Sequence, residues 1–384
     1  IFWAGPSAAR ALADLGADVI WAEQPGSRAD TELDPDKEAS PWDLMQHLYA
    51  TKMYRGKRSI ELDLTKTEDR AVAHALAKEA DVVLENYRPG VADKLGIGYE
   101  QVRARRADIV YCSVSGYGQD GRAARRRAYA PVVHAEVGLL DYKAREWGRD
   151  PLPEPVSHAD IAAGMAGAQG ILAALWRRER TGQGAYIDAS MVESMIAQNE
   201  WTAIEANGGP DYDHSPFRPG RAAVVQLGDA EGTWCAIPGA PPMVFGAYAR
   251  LSGRPELLED ERFASMAARN ANLDLCLEHL ATWARTFDSF EAFEHTLSEG
   301  ARLPVGRLES MAGTLEADWA VDRDAYVELP CGDETAVFNR SALRIAGTDC
   351  GPRSGARHLG ADNAVVLADL LGLGPDETRS EEHT

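Results

Sequence analysis

The sequence predicts an α/β fold with a largely parallel sheet, and three observations carry that reading. Strand-like apolar runs alternate with helix-patterned segments, the connections between them are short, and Gly or Pro closes most of the strands. Strand–helix–strand order with short connections implies right-handed crossovers, which lay successive strands parallel. "SAARALADLG" (7–16) spaces its apolar residues as a helix does and ends on Gly16, a helix stop. "ADVIWAE" (17–23) reads as a short buried strand closed by "QPGS". "RSIELDL" (58–64) alternates apolar and polar residues as a strand, and "TKTEDRAVAHALAKEA" (65–80) follows as an amphipathic helix capped by Thr67. "DVVLEN" (81–86) is the next buried strand, broken by "YRPG". "YEQVRARRA" is then a helix, and "DIVYCSVSGYG" (108–118) a strand that runs into a glycine-rich loop.

The longest helix of this half is expected from Ile161 to Arg178. Ile161, Met165, Ala168, Leu172 and Leu175 form one apolar stripe along it, and its many Ala and Gly residues let another backbone approach closely. "AYIDAS" (185–190) is a strand and "MVESMIAQNEWTAIEANGG" a further helix. Residues 207–222 are turn-formers and read as a linker. A second unit follows, with "GTWCAIP", helices over 241–252, 271–286 and 288–299, a strand-rich piece, and a last helix over 360–372.

At 384 residues the chain is long enough for two domains. Its composition, 45% hydrophobic and 26% charged, is that of a globular protein. No uninterrupted apolar run approaches the about 18 residues of a membrane span, and no secretory leader is expected. The chain opens on "IFWAGP" without Met, so further residues are expected upstream. Five scattered cysteines form no CxxC pair and nine histidines show no HxH or HExxH spacing. No disulfide framework and no metal site is expected, and a cytoplasmic location fits best. The net charge of −20 argues against nucleic acid or a membrane surface as partner. "YRGKRS" (54–59) and "RAARRR" (122–127) are basic islands in this acidic chain. Solvated surface and a local site for a small polyanion both account for them.

Ligands of open α/β sheets gather at the carboxyl ends of parallel strands. "AEQPGS" (22–27), "ENYRPG" (85–90) and "SVSGYGQDG" (113–121) occupy such ends. Each loop alone is a weak signal. The whole order, "AGP…LADLGADVIWAEQPG…RGKRSIELDL…ADVVLENYRPGVADKLGIGYEQV…DIVYCSVSGYGQDG…RAYAPV…D…ILAALWRRERTGQGAYIDASMVE", resembles the class III coenzyme A transferase family. That superfamily includes formyl-CoA transferases, carnitine CoA-transferases and α-methylacyl-CoA racemases. The resemblance is close over residues 1–200, weak again in "GPRSGARHLGADNAVVLADLLGLGPDE", and lost over 205–340.

The resemblance implies a large doubly wound, mostly parallel-sheet domain built from both chain ends (1–205 and 335–384). A smaller α+β domain (223–315) is inserted through linkers at 206–222 and 316–334, and an interlocked homodimer is expected. CoA or acyl-CoA is implied as substrate, with no permanently bound cofactor. By resemblance, the adenine lies near Leu62 and Asn86–Tyr87, the phosphates near Lys66, Lys94 and Arg127, and Phe2, Trp3 and Ala4 line the entrance. Leu95 and Tyr129 complete the implied CoA site, and Arg88 and Arg55 are looser candidates. Cations are what a diphosphate and a 3′-phosphate require.

Asp160 matches the family's catalytic aspartate, directly before the "AG…ILAAL" helix. At that place the residue is also a helix cap, and the two roles are compatible. A carboxylate there is able to attack a thioester and form covalent acyl intermediates. In the racemase branch a His and an Asp flank the α-carbon; here the His position falls on Tyr129, which argues for transfer. His134 reads as a packed histidine and His158 as a bystander. Ala130 replaces the acidic residue that usually follows the Tyr, and no glycine-rich middle loop is evident. These departures argue for a bulkier or more apolar acyl group, with Trp3, Tyr129 and Trp201 as walls. Racemisation, and a CoA-binding paralogue without turnover, stay open as alternatives.

Overall fold

The computed structural model describes residues 3–28, 39–207, 222–331 and 334–372. Phe2 and nearly all of the 206–222 linker lie outside them, as does the side chain of Trp201. The described chain forms two compact units, divided between Glu200 and Trp201 and again between Asp318 and Trp319.

The first unit runs α1 (Ala4–Asp14), β1 (Ile20–Glu23), α2 (Pro41–Tyr54), β2 (Arg58–Glu61), α3 (Thr67–Glu79) and β3 (Val82–Glu85). It continues with α4 (Val91–Lys94), α5 (Tyr99–Arg103), β4 (Val110–Ser115), α6 (Ala130–Glu136), α7 (Leu139–Trp147), α8 (His158–Thr181), β5 (Ala185–Ser190) and α9 (Met191–Gln198). The expected single sheet is present as two parallel pieces: β1 pairs with β2, and β3–β4–β5 form a three-stranded sheet. β4 is buried along its whole length, and its alternation explains the layering. Val110, Cys112 and Val114 pack with residues of α8, while Tyr111 packs with Ala77 of α3 and Val102 of α5. Helices therefore cover both faces.

The other chain end completes this unit. In the helix Asn363–Leu371, Val366 and Leu367 pack on Ile60, Leu62, Val72 and Leu76. Asp362 Oδ2 accepts the Ser59 N–H at 2.8 Å, and Asn363 Oδ1 accepts the Glu61 N–H at 2.9 Å. The strands Tyr326–Cys331 and Glu334–Asn339 also belong to it. The second unit carries an antiparallel sheet of β6 (Ala223–Gln226), β7 (Trp234–Ile237) and β8 (Gly306–Arg307). Helices Pro241–Leu251, Leu273–Ala284 and Phe290–Ala301 supply its core around Tyr248, Leu280 and Phe293. β9 (Tyr326–Cys331) and β10 (Glu334–Asn339) form an antiparallel hairpin.

Four local readings change. Helix α2 is absent from the sequence-based expectation, although Ser40 and Asp43 form a capping box at its start and Pro41 follows the cap. The residue before α3 is Lys66, without a side-chain cap bond, so Thr67 is the first helical residue and not the cap. The helix expected after β5 breaks at Asn199, whose extended backbone (φ −91°, ψ 98°) separates α9 from Glu200–Ala206. In α8 the buried stripe is made mostly of the small residues Ala159, Ala163, Gly167 and Ala174, with Ile171 the one large side chain among them. Ile161, Met165 and Leu172, members of the expected apolar stripe, are 38%, 41% and 47% exposed. Close approach of α1 is the reason: a Cβ on Gly164 would lie 2.7 Å from the Ala4 carbonyl oxygen, so no side chain fits at that contact. With mean hydropathy 1.2 over 18 residues, α8 is also long and apolar enough to cross a membrane, against the expectation from uninterrupted runs. Its Ala and Gly residues raise the hydropathy, and they are the residues packed on α1 and β4.

Candidate active site

Asp160 occupies the third position of α8, in its first turn, and the cap position belongs to Ser157. The Asp160 carboxylate accepts hydrogen bonds from its own backbone N–H and from that of Ala4. Ala4 is the first residue of α1. Two helix N-termini, with their unpaired N–H groups and positive dipole ends, thus converge on one carboxylate. Burial nevertheless outweighs those donors and pushes the Asp160 pKa up to about 6. At neutral pH the group is ionised and only partly solvated, the condition of an active nucleophile.

Asn86 holds the start of α1 in place. Its Oδ1 accepts the Gly5 N–H at 3.0 Å, and its Nδ2 donates to the Val114 carbonyl at 2.6 Å. A Cβ on Gly5 would lie 2.7 Å from Asn86 Cβ, so glycine is required there for this approach. β3, β4 and α1 are tied together at one point, and that point sets where the Ala4 N–H aims.

A cavity of about 180 Å³ opens beside Asp160. Of the residues assigned to CoA by resemblance, it brings together Trp3, Ala4, Asn86, Tyr87, Arg88 and Tyr129 with Asp160. Asn86 has its amide committed to the two backbones, so it offers the cavity only its remaining surface. Leu62 is 7% exposed inside the β2–α3 core and does not line the cavity. Lys66, Lys94, Leu95 and Arg127 do not line it either; the three cations are exposed. Arg126, next to Arg127, does line it, with its guanidinium on Glu136 and 4.7 Å from the Tyr117 ring. Arg55 is fully buried, 3.6 Å from Asp14, and is a core residue.

Tyr49 of α2 escaped the sequence reading together with its helix. Its ring packs edge-on against Trp3 with centroids 3.7 Å apart. Its hydroxyl shares a hydrogen bond with Ser157, which works against the upward pull of burial and of the nearby Asp160 charge on the phenol pKa. Tyr49→Phe is expected to lower kcat/KM by about 2- to 10-fold, the worth of one hydrogen bond of about 1 kcal/mol, in steady-state transfer assays. Ser157 and Gly116 also line the cavity; Gly116 admits no Cβ, which would sit 2.2 Å from that of Ala128. Among the described residues no group of three or more His, Cys, Asp or Glu side chains is placed to hold a metal ion.

This geometry can be set beside known proteins. The family model described as CoA-transferase family III matches residues 1–363, and so extends through the divergent segment 205–340. The succinyl-CoA:mesaconate CoA-transferase of Haloarcula hispanica is 30% identical, covering 98% of this chain and 95% of that one. The formyl-CoA:oxalate CoA-transferase of Streptomyces coelicolor is 29% identical over 98% and 93%. A CAIB/BAIF family protein from Brucella suis has a solved structure with a TM-score of 0.76 and 28% identity, over 96% of each chain. Rv3272 from M. tuberculosis superposes with a TM-score of 0.78 at 27% identity, over 95% of each. A carboxylate at paired helix N-termini, in a chain that matches these proteins almost end to end, places it: the chain belongs to CoA-transferase family III and is an enzyme that transfers coenzyme A.

Proposed function

We propose that the enzyme moves CoA from an acyl-CoA thioester to a carboxylic acid through covalent intermediates on Asp160. The observation that carries this reading is the desolvated, ionised Asp160 carboxylate facing the cavity and the Ala4 N–H. In the first step a carboxylate oxygen of Asp160 attacks the thioester carbonyl, the C–S bond breaks, and CoA thiolate leaves an aspartyl–acyl anhydride. The thiolate then attacks the aspartyl carbonyl, releasing the donor acid as carboxylate and forming an aspartyl-CoA thioester. The acceptor carboxylate repeats the first step on that thioester, and returning thiolate attacks the acceptor carbonyl to give the new acyl-CoA and free Asp160. No net proton is taken up. Each addition places negative charge on a carbonyl oxygen, which backbone N–H groups such as those at the two helix starts suit.

Incubation with an acyl-CoA followed by hydroxylamine tests the reading. Hydroxamate at Asp160, found by peptide mass spectrometry, is the expected result. No trapping at Asp160 with any of several thioesters, or solvent deuterium entering the α-carbon without CoA transfer, would sink it. Relatives named for succinyl, mesaconate, formyl and oxalate groups supply the first donors and acceptors to try. The aromatic walls of Trp3 and Tyr129 argue for adding an apolar acid to that panel. Arg88 is exposed, lines the cavity and makes no ion pair among the described residues. Arg88→Ala is expected to weaken CoA binding by about 3- to 10-fold with kcat little changed, measured by calorimetric titration beside Arg127→Ala.

The working unit in this proposal is a homodimer. Ile161, Met165, Leu172 and Trp176 leave an apolar stripe on α8 uncovered by the chain itself, and a second copy would bury it. Light scattering on the purified protein should give twice the chain mass.

A further inference from the structure

We propose that His134 is the side-chain cap of the helix that carries Asp160, a positioning residue for the transfer reaction that acts as a neutral imidazole. The inference rests on the assignment of Asp160 as nucleophile. The first turn of a helix leaves N–H groups without intrahelical acceptors. Ser157 holds the cap position of α8 but makes no side-chain bond to them. The His158 N–H turns back to the Val156 carbonyl at 2.8 Å. The Ala159 N–H, directly before Asp160, donates instead to His134 Nε2 at 3.2 Å. Both residues are 0% exposed, so water cannot replace that acceptor.

A ring nitrogen that accepts a hydrogen bond carries no proton, so the geometry fixes the ring as neutral with its proton on Nδ1. Burial, then the neighbouring His158, favours that form, and Lys143 adds to it while Glu154 opposes it. These are the charges around the ring from each packed element. His158 of α8 lies 6.1 Å away between ring centroids, and Lys143 of α7 pairs with Glu154. His158 itself is half exposed and is not the capping ring. Loss of the acceptor frees the α8 start and with it the aim of Asp160 toward the Ala4 N–H.

His134→Leu removes the acceptor; His134→Gln keeps a carbonyl oxygen within similar reach. The leucine variant is expected to lose about 10- to 100-fold in kcat with KM for the donor thioester within about twofold of wild type. The glutamine variant is expected to recover kcat to within about threefold of wild type. Nitrogen NMR of the histidine-labelled full chain near neutral pH, assigned by the signal missing in His134→Gln, should show Nδ1 protonated and Nε2 bare. An unchanged kcat in His134→Leu, a glutamine variant as slow as the leucine one, or a proton on Nε2 would each overturn the proposal. Should the leucine variant not fold, the glutamine variant and the spectrum still decide. A wild type that transfers CoA between no tested pair would instead count against the Asp160 reading, with the spectrum still reporting on the cap.

Discussion

Asp160→Asn is expected to abolish CoA transfer, to leave CoA binding within about twofold of wild type, and to make the protein more stable at neutral pH. Loss of activity follows from the proposed chemistry, in which an amide oxygen would not form the anhydride. Binding survives because the aromatic and cationic cavity walls are untouched and Asn retains an oxygen to accept the Ala4 N–H. Stability follows from linkage. The folded-state pKa of Asp160, about 6, lies above its ordinary value of 3.8, so the folded chain binds the proton more tightly than the unfolded one. Its stabilising effect is full below the unfolded value, is lost as pH rises from about 3.8 through about 6, and above that the burial of the charge costs in full. Asparagine carries no such charge, and a melting temperature a few degrees higher at neutral pH is the expected size. The wild-type rate should fall as pH drops through about 6, since the protonated carboxyl is no nucleophile. A rate profile flat from pH 5 to 8, or a less stable asparagine variant, would contradict this account.

Gly164→Ala is the second change with a large expected effect. An added Cβ would stand 2.7 Å from the Ala4 carbonyl oxygen and from Ser7 Cβ, and 3.1 Å from the Ala8 nitrogen. Backbone is not a flexible neighbour, so α1 must move away from α8. Such overpacking costs about 1–3 kcal/mol, more than the about 1 kcal/mol that Ala gains over Gly in a helix. The displaced strip contains Ala4, whose N–H faces Asp160, so kcat is expected to fall by about 10- to 100-fold as well. Gly167→Ala is the matched comparison. Its Cβ would meet Val114, Cys112 and Ala8 at 3.4, 3.5 and 3.7 Å, ordinary contact distances, so a neutral or stabilising effect is expected there. Equal losses in both variants, measured by thermal unfolding and initial rates, would remove the α1–α8 packing from the account.

Several parts of the site were legible because they depend on local order. The strand runs before "ENYRPG" and "SVSGYGQDG" fix where two loops end, and Asp160 stands at a recognisable helix start. Asn86 was found, though its amide turned out to join α1 to β4 and not to be free for a ligand. Lys66, Lys94 and Arg127 are implied by the resemblance as phosphate contacts; the cavity beside Asp160 is lined instead by Arg88 and Arg126, because which way an exposed side chain points is not written in the local sequence. Tyr49 went unseen because the Ser40–Asp43 capping signal before α2 was not weighed, and because its value lies in Trp3 and Ser157, far away in the chain. His134 read as a packed histidine. Only the approach of Ala159 gives its Nε2 a task.

The sequence by itself determined the α/β alternation, the loops at the ends of the strands and the aspartate at the start of α8. Periodicity, glycine placement and residue order encode these locally. The tertiary structure alone decided which face of α8 is buried, which cations reach the cavity, and why the Asp160 pKa is raised. Each depends on packing between segments distant in the chain: α1 lies against α8 because Gly164 leaves room for it, and burial between packed elements is what raises the pKa of the carboxylate.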